Sequence, residues 1–316
     1  MRCLIVQPIH EAGLLRLTNN GVDPLICPAP DMATVAEHIG GCQAVITGHA
    51  GLDAVALAAA KRLHVVIVNG ADHGPVDKDA ATRAGAIVAT TPGGNAHSVA
   101  ELALGLALAV ARRIPAADRA VRKGGHGFRE THRFAELTGK TALIVGWGAT
   151  GRQAAALYAR ALDMRILVHS PRSPEILEAE RAPSLTGALA RADLISLHTP
   201  LREETRGLIG RAALAVMRPG AILINVADAG LVEETALLAA LRSGRIGGAA
   251  LDAYSPGAPQ GPLAELPNVI FTPQLGGNTE EAQRQMAIAA AGQVIAALEG
   301  RMPATTINPE AWRTRS

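Results

Sequence analysis

The sequence predicts an α/β protein with two parallel sheets, each covered by helices on both faces. Three observations carry this. Short runs of branched apolar residues alternate with Ala-rich segments of helical period along the chain. The runs are numerous enough for two sheets. Two Pro/Gly-rich stretches, TTPGGN at 90–95 and QLGGNTEE at 274–281, read as hinges. Cutting there gives a middle domain over 98–280 and a second domain that joins 1–97 to 281–316.

In chain order the expected strands are CLIV at 3–6, AVIT at 44–47, VVIV at 65–68, ALIV at 142–145, RILV at 165–168, DLISL at 193–197, AILINV at 221–226, AALDAY at 249–254 and NVIFT at 268–272. Between the hinges, SVAELALGLALAVARR at 98–113 opens on Ser98 and Glu101, the spacing of a capping box. This helix is apolar almost all round. It is expected to be buried on every side, either in a domain core or wedged between subunits of a homo-oligomer.

The chain has 316 residues, of which 48% are hydrophobic and only 2% aromatic, so Ala, Val, Leu and Ile must do the packing. A net charge of +2 without a basic run gives nucleic acid no footprint. Cys3, Cys27 and Cys42 lack metal or redox spacing and read as reduced thiols, and no metal site is expected. The apolar part of MRCLIVQPIH is too short for a signal peptide, and LALGLALAVA at 102–111 is half a membrane span at best. A cytoplasmic protein without membrane contact is expected.

ALIVGWGATGRQAAALYARAL at 142–162 joins a buried strand to a helix through Gly146-x-Gly148-x-x-Gly151. That context suits a dinucleotide: a tight turn, a close backbone approach to pyrophosphate and a helix N-terminus facing the negative charge. The next strand ends in HSPRS, with Ser170 where an NAD site usually carries an acid for the ribose hydroxyls. Arg172 and Ser173 follow, a set that favours the 2′-phosphate of NADP over NAD.

The chain closely resembles the D-isomer-specific 2-hydroxyacid dehydrogenase family. The resemblance rests on TPGGNAHSVAELALGLALAVARR, GKTALIVGWGATGRQAA, DLISLHTPLREETRGLIG, MRPGAILINVADAGLVEETAL, GGAALDAYSPGAP and LPNVIFTPQLGG. It implies two Rossmann-like domains with the cofactor in the cleft between them and a homodimer built on the long helix. It also implies cofactor contacts at Thr91, Ala149, Thr150, Ser170, Thr199, Pro200, Val226, Ala227, Asp252, Gln274, Gly276 and Gly277, with His198 in the cofactor wall.

The family's catalytic residues do not carry over. Its carboxylate-binding arginine falls at Asp228, the glutamate that supports the acid/base falls at Gly257, and the histidine itself falls at Gln274. In the substrate loop VNGADHGPVD, Asp72 stands at a usual glycine, with His73 beside it. Candidates for proton transfer are His73, His49 in TGHAG, and Asp228. Two aspartates would repel a 2-keto acid and suit an ammonium, iminium or polyhydroxy substrate. An oxidoreductase acting on such a substrate is the first expectation. A dinucleotide-binding sensor or scaffold without hydride transfer is the alternative.

Overall fold

The computed structural model describes residues 1–70, 74, 76–125 and 127–313. They form two compact units, Met1–Asn95 with Thr279–Ser316, and Ala96–Asn278.

The first unit carries β1 (Arg2–Ile5), β2 (Asp23–Ile26), β3 (Ala44–Thr47), β4 (Val65–Val68) and β5 (Ile87–Thr90) in one parallel sheet of order β2-β1-β3-β4-β5. β3 and β4 are buried along their whole length, as continuous apolar strands covered on both faces must be. The C-terminal helix Glu280–Leu298 returns to this sheet because it can touch the helix Glu11–Asn19 closely. A Cβ on Gly13 would lie 2.8 Å from both the Cβ and the carbonyl oxygen of Ala287. At the β5 edge, Asn308 accepts the Val88 N–H (2.6 Å) and donates to the Ala86 carbonyl (3.1 Å) and the Thr82 hydroxyl (2.8 Å). The last stretch of chain thus satisfies an edge that would otherwise be unpaired.

The second unit carries β6 (Thr141–Val145), β7 (Arg165–His169), β8 (Glu180–Arg181), β9 (Leu194–Leu197), β10 (Ile222–Asn225), β11 (Gly248–Leu251) and β12 (Val269–Phe271). They make a parallel sheet of order β12-β11-β10-β9-β6-β7-β8. Strand order reverses between β6 and β9, and open α/β sheets bind ligands beyond the carboxyl ends of their strands at such a point. The helices Ala96–Ala111 and Ala149–Leu162 pack on one face around the fully buried Tyr158.

Three strands were not expected. β2 contains Pro24, tolerated because β2 pairs only with β1 at the sheet edge. β5 runs straight into the first hinge, and β8 has two residues. The long helix also departs from expectation. It starts at Ala96, so Ser98 lies inside it, and no capping box forms; the Ser98 hydroxyl donates to the Gly276 carbonyl (2.6 Å), while Glu101 pairs with His97 (3.0 Å). Nor is the helix buried on every side in the single chain: His97, Glu101 and Gly105 are exposed, and Leu104 and Leu108 partly so. Among the described residues no helix is long and apolar enough to cross a membrane.

Candidate functional site

The glycine turn after β6 is dictated by contacts no side chain could make. Gly146 has φ +100°, and a Cβ there would sit 2.5 Å from the His198 carbonyl oxygen; a Cβ on Gly151 would sit 2.1 Å from the Gly146 oxygen. Gly148 differs, since a Cβ there would meet nothing within 4 Å. Protein packing therefore does not require the middle glycine, and it leaves open space beside the start of the helix Ala149–Leu162, which no side chain caps. An open glycine face next to unsatisfied helix N–H groups fits a pyrophosphate.

The residues after β7 brace this turn. The Ser170 hydroxyl accepts the Trp147 N–H (3.2 Å) and lies 2.9 Å from the Ser173 hydroxyl. Arg172 is exposed and paired with Glu204 at 2.6 Å, a partner not anticipated from sequence. After β9, Nε2 of His198 lies 2.8 Å from the Ser196 hydroxyl, which lies 3.2 Å from the Tyr158 hydroxyl. His198 as a residue keeps some exposure, yet its Nδ1 is sealed from solvent and has no hydrogen-bond partner among the described residues. Burial pushes its imidazole pKa down to about 4, so the ring is neutral. Thr199 is half-buried beside it, and the Pro200 carbonyl accepts the Thr205 hydroxyl (2.9 Å).

After β10 the chain INVADAGLVEE is organised by Asn225, which is fully buried. Its amide donates to the carbonyls of Asp228 (2.8 Å) and Ala253 (3.0 Å), and its Oδ1 accepts the Ala227 N–H (3.2 Å). Val226, Ala227 and Asp228 are half-buried. The Asp228 carboxylate accepts the Gly230 N–H (2.8 Å) and caps the short turn Ala229–Leu231.

After β11, Asp252 is 5% exposed and accepts from the Thr272 hydroxyl (2.6 Å) and the N–H groups of Leu275 (2.8 Å) and Gly276 (3.0 Å). It builds the Gln274–Gly277 loop, which Ser98 grips from the other side. In that loop Gln274 is exposed and holds φ +54°, one of three described non-glycine residues in the left-handed region. Gly257 has an ordinary φ of −85°, and a Cβ there would meet nothing within 4 Å. Its loop is held by Glu234, whose carboxylate accepts the N–H (2.8 Å) and the hydroxyl of Ser255.

The sheet therefore gathers Gly146–Gly151, Ser170, Ser173, His198, Thr199, Val226–Asp228, Asp252 and Gln274–Gly277 at the carboxyl ends of its strands. In the first unit, Thr91 is buried and its N–H donates to the Gly70 carbonyl (2.8 Å). His49 is exposed; its ring nitrogens lie 3.0 and 2.9 Å from the amide of Gln7, whose Oε1 holds the N–H groups of Gly48 and Ala50. Asp72 and His73 lie outside the described residues. Sequence reasoning passed over Asn225, Glu204, Glu234 and the Tyr158–Ser196 pair. Only Asn225 left a signal, as a lone polar residue ending a buried apolar run.

Residues 104–276 match the model of the D-isomer specific 2-hydroxyacid dehydrogenase, NAD binding domain. A D-3-phosphoglycerate dehydrogenase of Archaeoglobus fulgidus is 33% identical over 318 residues, covering 98% of this chain and 59% of its own length. This chain thus spans about three fifths of such relatives. A glyoxylate reductase of Aeropyrum pernix is 36% identical over 275 residues, covering 84% of this chain and 82% of its own. Among solved structures, the TT0316 protein of Thermus thermophilus superposes with a TM-score of 0.87 at 34% identity, covering 97% of this chain and all of that one.

The left-handed backbone at Gln274 yields a stability prediction. Holding an L side chain there costs about 1–2 kcal/mol, partly offset in a glycine variant by the greater freedom of its unfolded chain. Gln274→Gly should raise the stability of this unit by roughly 0.5–1 kcal/mol, a shift of about 2 °C in calorimetry. A lowered midpoint would show that the Gln274 side chain contributes more than its backbone costs.

Proposed function

This chain belongs to the D-isomer specific 2-hydroxyacid dehydrogenase family, and we propose that it is a nicotinamide-dependent oxidoreductase whose substrate is not a simple 2-keto acid. The observation that carries the proposal is Asp228, a half-buried carboxylate where the family resemblance calls for a cation on the substrate carboxylate. At roughly 4 Å and an effective dielectric near 20, one like-charge contact costs about 4 kcal/mol, around a thousandfold in affinity. An iminium, ammonium or polyhydroxy substrate would meet attraction from the same group. When bound, the cofactor supplies or accepts the hydride. The chain's own part is to seat the pyrophosphate on the 146–151 turn and present Asp228 and the Gln274 loop to the reacting group. His73 is the first candidate to move the proton, ahead of His49 and Asp228, with Asp72 as its neighbour.

A sensor or scaffold without hydride transfer is the second reading. It is favoured by the Asp228 carboxylate being bonded within its own turn and by the absence of the family's acid/base at Gln274. The partner of the chain is a second copy. Leu104 and Leu108 on the long helix are partly exposed in the single chain, and Ile114, Val121 and Phe134 further along the chain are exposed, apolar side chains that support a symmetric interface built on this helix in a cytoplasmic homodimer. Sedimentation at micromolar concentration should give a dimer; a monomer would overturn this assembly.

On the cofactor, Ser170, Arg172 and Ser173 support NADP over NAD, with Arg172 leaving Glu204 for the 2′-phosphate. NADPH should bind at least about tenfold tighter than NADH, roughly 1.4 kcal/mol. Arg172→Ala should close most of that gap and Glu204→Gln should widen it. Equal affinities in a fluorescence titration would sink the NADP assignment.

Substrate charge is tested by turnover. Glyoxylate, pyruvate and hydroxypyruvate should be reduced feebly. Asp228→Arg should lower KM for these anions far more than it raises kcat, because it mends binding and not proton transfer. Adding Gly257→Glu and Gln274→His should be needed to raise kcat, and the open space at Gly257 admits the larger side chain. Reduction of these keto acids by the wild-type chain at about 10 per second would refute the charge argument.

A further inference from the structure

Three arginines lie on or against the turn that follows β7, and they are not equivalent. Arg172 is tied to Glu204 at 2.6 Å. Arg152, the fourth residue of the helix Ala149–Leu162, is exposed and reaches back to donate to the Trp147 carbonyl (3.1 Å). Arg181 of β8 is also exposed and donates to the carbonyls of Ser173 (2.7 Å) and Pro174 (3.2 Å). Neither Arg152 nor Arg181 has a carboxylate partner among the described residues; Glu180, the neighbour of Arg181, is held by Arg191 at 2.6 Å. Resting on the NADP reading above, we infer that Arg152 is a second cation for the 2′-phosphate, acting beside the Ser170–Ser173 hydroxyl pair.

Trp147 ties Arg152 to that pair. Its carbonyl accepts from Arg152 while its N–H donates to the Ser170 hydroxyl (3.2 Å), so one residue separates the guanidinium from the hydroxyl. The two serine hydroxyls lie 2.9 Å apart, and the Ser173 N–H donates to the Ser170 carbonyl (3.2 Å), closing the turn. Arg181 leaves the sheet on the face that the helix covers. It is the register partner of Val168, whose side chain packs with Ala154, Ala155 and Tyr158 of the helix, and partners across a ladder point the same way. Arg181 uses its reach to grip the turn's own carbonyls. Arg152 bonds through one nitrogen, and its Nε and Nη2 have no partner among the described residues.

The hydrogens of the serine pair decide which ligand fits. One hydroxyl donates to the other, and the remaining O–H has no acceptor among the described residues. Both serines are only half-buried. A spare O–H next to an unpaired guanidinium suits an acceptor that carries charge. A phosphate monoester dianion satisfies both groups, taking charge-assisted bonds from the planar fork. A ribose hydroxyl can accept the serine hydrogen, but its own hydrogen lacks the carboxylate that the ribose of NAD usually meets. Arg172 must leave a close ion pair before it can serve. Arg152 can keep its carbonyl and still offer two nitrogens, so its charge is available from the start.

The test is the split between the two cofactors, read by fluorescence titration of the full chain. Arg152→Ala should weaken NADPH about tenfold and leave NADH within about twofold. Arg152→Gln keeps an amide donor for the Trp147 carbonyl and removes only the charge, so it should show the same split. Rising salt should narrow the NADPH preference of the wild type more than that of Arg152→Gln. An equal loss for both cofactors would place Arg152 on the pyrophosphate and overturn the assignment. Wild-type affinity for NADPH in Arg152→Gln would overturn it as well, by showing that the charge is not used. Equal binding of NADPH and NADH by the wild type would overturn the NADP reading and this inference with it. A preference abolished by Arg172→Ala but untouched by Arg152→Ala would leave that reading standing and overturn the inference alone.

Discussion

Backbone-to-backbone contact at Gly146 is the constraint on which the second unit's functional edge depends. With 2.5 Å between the His198 carbonyl oxygen and the place of a Gly146 Cβ, the chain can leave β6 beside the exit of β9 only if the first residue beyond β6 has no side chain. The Gly151 contact then presses the following helix onto the same turn. These contacts direct the helix N-terminus, the β9 exit and, through the Trp147 N–H on Ser170, the β7 exit toward one place. A methyl group at either glycine would move all three.

Around that point the loops are held by buried polar side chains and not by apolar packing. Asn225 and Asp252 end neighbouring strands, and each makes three hydrogen bonds to loop atoms. Such groups are economical where a loop must be rigid yet leave its outer face free, because their bonds run sideways into the sheet edge. The cost is sensitivity: losing the Asp252 carboxylate strands two N–H groups and a hydroxyl at about 1–3 kcal/mol each. The Gln274 loop shows what that rigidity can impose, a left-handed residue that is not glycine.

How much of this was legible depended on whether the signal was local. Central strands such as VVIV and ALIV announce themselves, because burial on both faces demands unbroken branched residues. Edge strand β2 does not, since one free side lets Asp23 and Pro24 in. The Ser98–Glu101 spacing misled because a serine near a helix start can also bond a distant chain, here Gly276, 178 residues away. Gly146 and Gly151 were readable from spacing alone. The Tyr158–Ser196–His198 line was not, for it joins a helix to a strand far away in sequence.

The same distinction bears on Asp228. A side chain that caps the turn at Ala229–Leu231 contributes about 1 kcal/mol, and asparagine or serine could contribute it equally well without charge. Repulsion of an anion at close range is several times larger, about 4 kcal/mol by the Coulomb estimate. The cap therefore accounts for a short polar residue at this position but not for a charged one. If the site handles an anion's carboxylate, the aspartate works against it by more than the turn gains. If the substrate offers a cation or hydroxyl hydrogens, cap and charge act together, the Gly230 N–H holding Oδ1 in place while the carboxylate keeps its charge and its second oxygen as an acceptor. The balance of these two magnitudes, more than the loss of the usual basic residue, makes the charge at 228 a statement about the ligand.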